Sequence, residues 1–333
     1  MNKIFITVDV ECHELAKRNL YLEGKIGKEY WGLKKILQFG EEKKVPINFF
    51  LDVVECHEYG DDFIMEIVDQ IHAYGQKVYF HIHPNFIVEG GHHLFWQYSL
   101  EEQIELLRQG FADYERLVGC KCKAMRTGGY CTDQNLYDAL NAVTDGSVVD
   151  VSHCKGYRYS KYNSPVDNGL HFNGKVPVLL NTRYLSFKFF GKKKYANLDI
   201  ASSQFNEMKR VLEYRELPYL VCSMHSWNLF KQMFYIPWTM RPAKDTCQKM
   251  CRFIDLARKK GWEFSDFEES LRETGANVEI DLCKTPWLTL VGWINTFIRM
   301  QGAARTSKKY FMVYAAFYAF CVLGIVLITT CLI

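Results

Sequence analysis

His81 and His83, in "KVYFHIHPNF" (77–86), stand one residue apart at the end of an apolar run. In a strand, residues i and i+2 point to the same face. Two imidazoles side by side on one face suit a divalent metal better than a core. Asp9 and Glu11 in "TVDVE" share that spacing. Further along, "AMRTGGY" supplies Arg126, "VVDVSH" supplies Asp150, Ser152 and His153, and "LVCSMHSW" supplies His225. Each alone has a plain alternative: a helix cap, a surface ion pair, a satisfied core histidine. Together, at the ends of separate apolar runs, they specify metal-assisted hydrolysis. Two histidines and a carboxylate leave positions open on a divalent ion, which acidifies water and polarises a carbonyl. A second carboxylate can take a proton, a histidine opposite can give one to a leaving amine, and an arginine can hold the base ionised.

The elements that must position these groups alternate along the first 270 residues. "IFITVD" (4–9), "VPINFFLD" (45–52), "KVYFHIH" (77–83), "CKAMRTGGY" (122–130), "GSVVDVSH" (146–153) and "PYLVCSMHSW" (218–227) read as strands or strand ends. Between them lie helical patterns around 31–43, 61–74, 99–119, 132–143 and 242–260. Ser99 with Glu102 three residues on forms a capping box for the third of these. Strands alternating with helices imply an α/β fold with a mainly parallel sheet, whose chemistry collects at the carboxyl ends of the strands. Residues 155–197, rich in Tyr, Lys, Asn and Gly, are expected as an irregular excursion over the sheet.

Composition narrows the classes further. A chain of 333 residues suffices for one large α/β domain, and 48% hydrophobic with 24% charged residues is ordinary for a globular protein. A net charge of +3 without a basic stripe excludes nucleic acid as a partner class. The twelve cysteines are scattered without a CxxC pair and read as reduced thiols.

In this order the motifs resemble those of the polysaccharide deacetylase (NodB-homology) family of carbohydrate esterases, over about residues 3–270. "TVDVE" (7–11) is similar to the family's first motif, "HIHPN" (81–85) to its histidine motif, "RTGGY" (126–130) to its arginine motif, and "DVSH" (150–153) and "CSMHSW" (222–227) to its last two. The resemblance implies a distorted (β/α) barrel of about seven strands, spanning 1–272. It also implies metal-dependent removal of acyl groups from amino sugars. On that pattern Asp9 is the general base, Glu11, His81 and His83 hold a divalent metal (zinc), Arg126 tethers Asp9, His225 is the general acid and Asp150 orients it. Two departures stand out. The family's second histidine lies four residues after the first, where this chain has Asn85, and Glu11 replaces the commoner Asp. His92 and His93 are alternative donors.

"YFMVYAAFYAFCVLGIVLITTCLI" (Tyr310–Ile333) has no charged residue, and its length exceeds the ~20 residues that cross a bilayer as a helix. Arg305, Lys308 and Lys309 precede it, and the Trp-bearing segment 285–300 reads as an interfacial helix within a 273–309 linker. The expectation is a C-terminal transmembrane helix, a single-pass anchor with the catalytic domain in the cytoplasm. A cytoplasmic amidohydrolase would take a lipid- or nucleotide-linked N-acetylated or N-formylated amino sugar, a precursor of a surface polysaccharide. The competing class is a catalytically silent, membrane-anchored barrel that binds glycans or scaffolds an assembly.

Overall fold

A computed structural model describes residues 2–189, 191–233, 236–269, 271 and 277–306, with Met312 and Ala315. The strands and helices appear where hydrophobic periodicity places them. β1 (Asn2–Val10), α1 (Leu33–Lys43), β2 (Asn48–Asp52), α2 (Asp61–Ala73), β3 (Lys77–Ile82), α3 (Leu100–Val118), β4 (Ala124–Thr127), α4 (Gln134–Val143) and β5 (Val149–Asp150) alternate along the first half. The expected capping box forms, and a second cap forms at the start of α4. The Ser99 amide donates to Glu102 Oε2 at 2.7 Å while the Glu102 amide donates to Ser99 Oγ, and Asp133 Oδ1 accepts from the Leu136 amide at 3.0 Å.

The second half departs from the expectation of an irregular excursion. β6 (Leu170–Asn173) and β7 (Val176–Leu179) form an antiparallel hairpin, and β8 (Arg183–Phe189) pairs antiparallel with β9 (Lys192–Asn197). The hairpin turns at Gly174, whose φ of 60° lies in the left-handed region that glycine enters without a Cβ clash. After α5 (Phe205–Val211) come β10 (Tyr219–His225), α6 (Lys244–Lys259), β11 (Trp262–Phe264), β12 (Ile280–Asp281) and α7 (Pro286–Thr306).

The main sheet runs β10-β1-β2-β3-β4-β5-β7-β6, parallel except for the last pair, and β11 lies beside the start of β1. It is a curled, nine-stranded half-barrel sheet, consistent with the expected distorted (β/α) barrel but with more strands than the seven or so expected. Irregular segments fill the seam between its edges: the Leu198 amide donates to the Thr182 carbonyl, and the Ser223 amide of β10 to the Leu198 carbonyl.

Strand alternation divides the core in two. Phe5, Phe50, Tyr79, Ala124, Val149 and Val221 face the concave side, where Phe267 stacks on Phe5 at 4.6 Å. Their sequence neighbours Ile4, Ile6, Phe49, Leu51, Val78, Phe80 and Met125 face the helices. Continuing the concave parity upward leads through Thr7 to Asp9, and on the other strands to Asp52, His81, Arg126 and His225. These inward polar groups, at the carboxyl ends of their strands, therefore gather at one mouth.

The C-terminal expectation is corrected. Among the described residues no helix is long and apolar enough to cross a membrane, so the single-pass anchor and the cytoplasmic placement built on it are withdrawn. Apart from Met312 and Ala315, the segment Tyr310–Ile333 lies outside the described residues. The Trp-bearing segment forms α7, which docks on the domain through its polar side. Asn295 is buried and exchanges hydrogen bonds with Asn206, and Arg299 pairs with the buried Glu207. Trp287, Leu290, Trp293, Ile294 and Ile298 stay exposed.

Candidate active site

The last inward residue of β1, Asp9, is buried, and one of its oxygens, Oδ1, accepts from Arg126 Nη1. Arg126 has no exposed surface. Its other donors reach Thr7 Oγ1 at 3.0 Å, Asn181 Oδ1 at 3.3 Å and the Val151 carbonyl at 3.2 Å, and its guanidinium lies 4.5 Å over the Phe50 ring. A buried cation so completely bonded is fixed in place, and it fixes Asp9 with it. Asp9 Oδ2 faces His225 Nε2 at 4.0 Å.

Glu11 lies just past the strand, buried, with four imidazoles around its carboxylate. His83 Nε2 approaches Oε2 at 2.8 Å and His81 Nε2 at 3.3 Å; His13 Nε2 approaches Oε1 at 3.3 Å and His225 Nε2 at 3.7 Å. Burial works to raise the Glu11 pKa, but hydrogen bonds from His13, His81 and His83 carry it well below the usual carboxylate range. Burial pulls the His83 imidazole down; burial also works against His13, but the hydrogen bond and charge of Glu11, with the charge of Glu55, together raise it. An ionised carboxylate facing a neutral imidazole is the protonation state that a metal requires.

The donor set fits a divalent ion. One ligand atom from each of Glu11, His13 and His83 lies within 4.8 Å of the others, and His81 shares Oε2 with His83. The glycine at 128 makes room for this arrangement, because a Cβ there would lie 2.2 Å from the His83 ring. His93, an alternative donor, is turned away, with Nδ1 on Asn85 Oδ1 at 3.0 Å.

Of the residues expected from the sequence, Asp9, Glu11, His81, His83, Arg126 and His225 come together and Asp150 does not. Its partners are the Tyr137 hydroxyl at 3.0 Å and the Ser152 amide and hydroxyl. The reason is parity: Val149 and Val151 point inward, so Asp150 points toward α4. The carboxylates beside His225 are those of Asp9 and Glu11. His153 is likewise a core group, with Nδ1 2.9 Å from Thr132 Oγ1.

Sequence reasoning missed His13, Asp52 and Glu55. Glu55 Oε1 accepts from the Cys12 and His13 amides at 2.6 and 3.0 Å, and Asp52 Oδ1 accepts from the His83 amide at 3.4 Å. Burial raises both acids, Glu55 to about 8 and Asp52 well above its ordinary value. The signal for Asp52 was present: it ends the run "NFFLD" two residues after the inward Phe50.

His225 stacks on Trp227 at 4.5 Å, and Trp227 meets Tyr21 edge-on at 5.5 Å. These two rings open onto a cavity of about 880 Å³. Lys249 and Arg252 of α6 line it. Lys249 Nζ is held by the Ala201 and Ser203 carbonyls at 2.9 and 2.7 Å, and Arg252 lies 3.9 Å over the Phe205 ring. Lys231, also lining the cavity, is neutralised by Asp245 at 2.9 Å.

No family model and no curated protein matches the sequence. Among solved structures, the chain is similar to a CE4 family pseudoenzyme from Bacillus anthracis (TM-score 0.42, 11% identity), covering 79% of this chain and 63% of that one. It is also similar to a family 4 carbohydrate esterase from Streptomyces lividans in complex with acetate (TM-score 0.40, 11% identity), covering 84% and 98%. A third is a polysaccharide deacetylase from Bacillus cereus (TM-score 0.39, 11% identity), covering 84% and 97%. The chain thus spans less than two thirds of the pseudoenzyme's length. Similarity at this level carries no argument about function.

Proposed function

We propose that the protein is a metal-dependent deacylase that hydrolyses the amide of an N-acetylated or N-formylated amino sugar. The observation that carries this reading is the juxtaposition of two different carboxylates at one mouth. Glu11 is ringed by imidazoles, and Asp9 is held on one oxygen by a buried arginine and left open on the other. A divalent ion such as zinc, held by Glu11, His81 and His83, would polarise the acyl carbonyl and make water more acidic. Asp9 Oδ2 takes the proton from the attacking water, and Arg126 keeps Asp9 ionised and in register. His225 Nε2, on the same side of Glu11 as Asp9 Oδ2, gives a proton to the departing sugar nitrogen. Trp227 stacks on the imidazole and fixes its plane.

The finer reading is that the sugar is carried on a phosphate, as in a nucleotide-linked or lipid-linked precursor. Its support is the cavity beyond Trp227. The carbon next to the one bearing the amide is the linkage carbon, and Lys249 and Arg252 offer cationic hydrogen-bond donors that form no ion pair with a carboxylate among the described residues. The test is the zinc content of the purified chain together with release of acetate or formate from acylated amino sugars. One zinc per chain in the wild type, lost in His81→Ala/His83→Ala, is expected. A chain without stoichiometric metal would instead be a silent binding module.

A further inference from the structure

His13 stands in an unusual place. It is not glycine, yet its φ is 43°, a left-handed conformation that side chains with a Cβ adopt rarely. Such backbone persists where the surroundings over-determine it, and it clusters at functional sites. Here the determinant is Glu55. Fully buried, it accepts the Cys12 and His13 amides on one oxygen, and its other oxygen has no hydrogen-bond partner among the described residues. The bend turns the chain back immediately after Glu11 and swings the His13 ring over the site. His13 Nε2 reaches Glu11 Oε1 at 3.3 Å, and the ring meets His83 edge-on at 5.2 Å. A surface histidine pairing with an acid needs no strained backbone and no buried carboxylate beneath it.

The two oxygens of Glu11 divide the imidazoles. His81 and His83 sit on Oε2, in the interior, with side chains 2% and 13% exposed. His13 sits on Oε1, the oxygen that His225 also faces, and its side chain is 38% exposed. It therefore stands on the solvent side of the donor set.

We propose that His13 is a ligand of the metal and that Glu55 is its positioning residue; this rests on the reading of Glu11, His81 and His83 as a metal site. The ion is then held from two sides, by the β3 histidines within and by the β1 extension at the mouth. Each nearby group has its own task. Asp52 holds the His83 backbone, Glu55 holds the His13 backbone, and neither carboxylate needs to touch the ion.

The experiment measures zinc affinity of the full chain by competition with a chromophoric chelator, and the visible d–d spectrum of the cobalt-substituted protein. Wild type binds one ion. His13→Asn, which tolerates the left-handed backbone, binds zinc about 100-fold more weakly or worse, and its cobalt spectrum changes as an imidazole is lost. Glu55→Ala shows the smaller loss, about 10- to 100-fold, typical of groups that orient a ligand. Glu55→Gln keeps an acceptor oxygen and recovers most of the affinity. A urea melt of each variant separates ligand loss from unfolding. Wild-type affinity and an unchanged cobalt spectrum in His13→Asn overturn the proposal while leaving the metal site standing. A wild-type chain that binds no stoichiometric metal overturns both.

Discussion

Arg126 bonds one oxygen of Asp9 and leaves the other facing His225 Nε2 at 4.0 Å. This asymmetry separates the roles of two carboxylates that the sequence places only two residues apart. Asp9→Asn should keep bound metal and lose turnover, because an amide cannot accept the proton. Glu11→Gln should lose metal first. Zinc content measured beside acetate release distinguishes them, and the opposite pattern would exchange the two roles.

For His225 the discriminating variable is the leaving group. An amide nitrogen must be protonated to depart, whereas an aryl oxide leaves without help. His225→Ala should lower the rate on an acylated amino sugar by about 100- to 10,000-fold. It should change the rate on an activated aryl acetate by little. Equal losses on both substrates would make His225 a structural group.

Gly128→Ala places a methyl 2.2 Å from the His83 ring, closer than atoms can approach, so the imidazole must move. The expected result is weakened zinc binding with a melting temperature close to wild type. A large fall in stability with unchanged zinc affinity would mean that the backbone yielded instead.

His153 and His171 set an acid limit on stability. Burial depresses His153 to about 3 and His171 to about 4, against an ordinary value of 6.5. Both are kept neutral when folded, so their contribution is intact above about pH 6.5 and is lost as pH falls toward those values. Each costs up to about 1.4 kcal/mol per pH unit across its window. Urea melts at pH 7 and pH 5 should show this loss, and His153→Gln should reduce the slope. A slope unchanged in the variant would assign the acid sensitivity elsewhere.

If the cavity beyond Trp227 takes a phosphate, Lys249→Met/Arg252→Gln should raise KM for a nucleotide-linked acylated sugar by about 10-fold or more, leaving hydrolysis of the free sugar unchanged. Two charge-assisted hydrogen bonds, one from a half-buried lysine and one from an exposed arginine, justify that magnitude. Steady-state kinetics on the two substrates, with a polyprenyl-linked form as a third, gives the answer. A uniform loss on all three would argue against a phosphate subsite.

Much of this arrangement was legible because strand parity is rigid. Phe5, Thr7 and Asp9, or Tyr79 and His81, must share a face, so a polar residue ending an apolar run is aimed with its inward neighbours. The same rule, applied strictly, would have turned Asp150 away and brought in Asp52. The Asn173–Gly174 turn was equally readable as a hairpin signal between apolar runs. His13 was not legible. Its position depends on a left-handed bend fixed by Glu55, 42 residues away in sequence, and no local pattern encodes that contact. The irregular seam filled by Thr182 and Leu198 is a long-range pairing of the same kind. The polar docking side of α7 was hidden by its tryptophans, since an apolar stripe does not say which face meets the domain.

The most direct measurement is acyl release by the full chain from an N-acetylated or N-formylated amino sugar, before chelation, after chelation and after return of zinc. The expected result is release that a chelator abolishes and one equivalent of zinc restores, with Asp9→Asn inactive throughout. Release untouched by chelation, or no release from any acylated amino sugar by a chain carrying one metal, would contradict it.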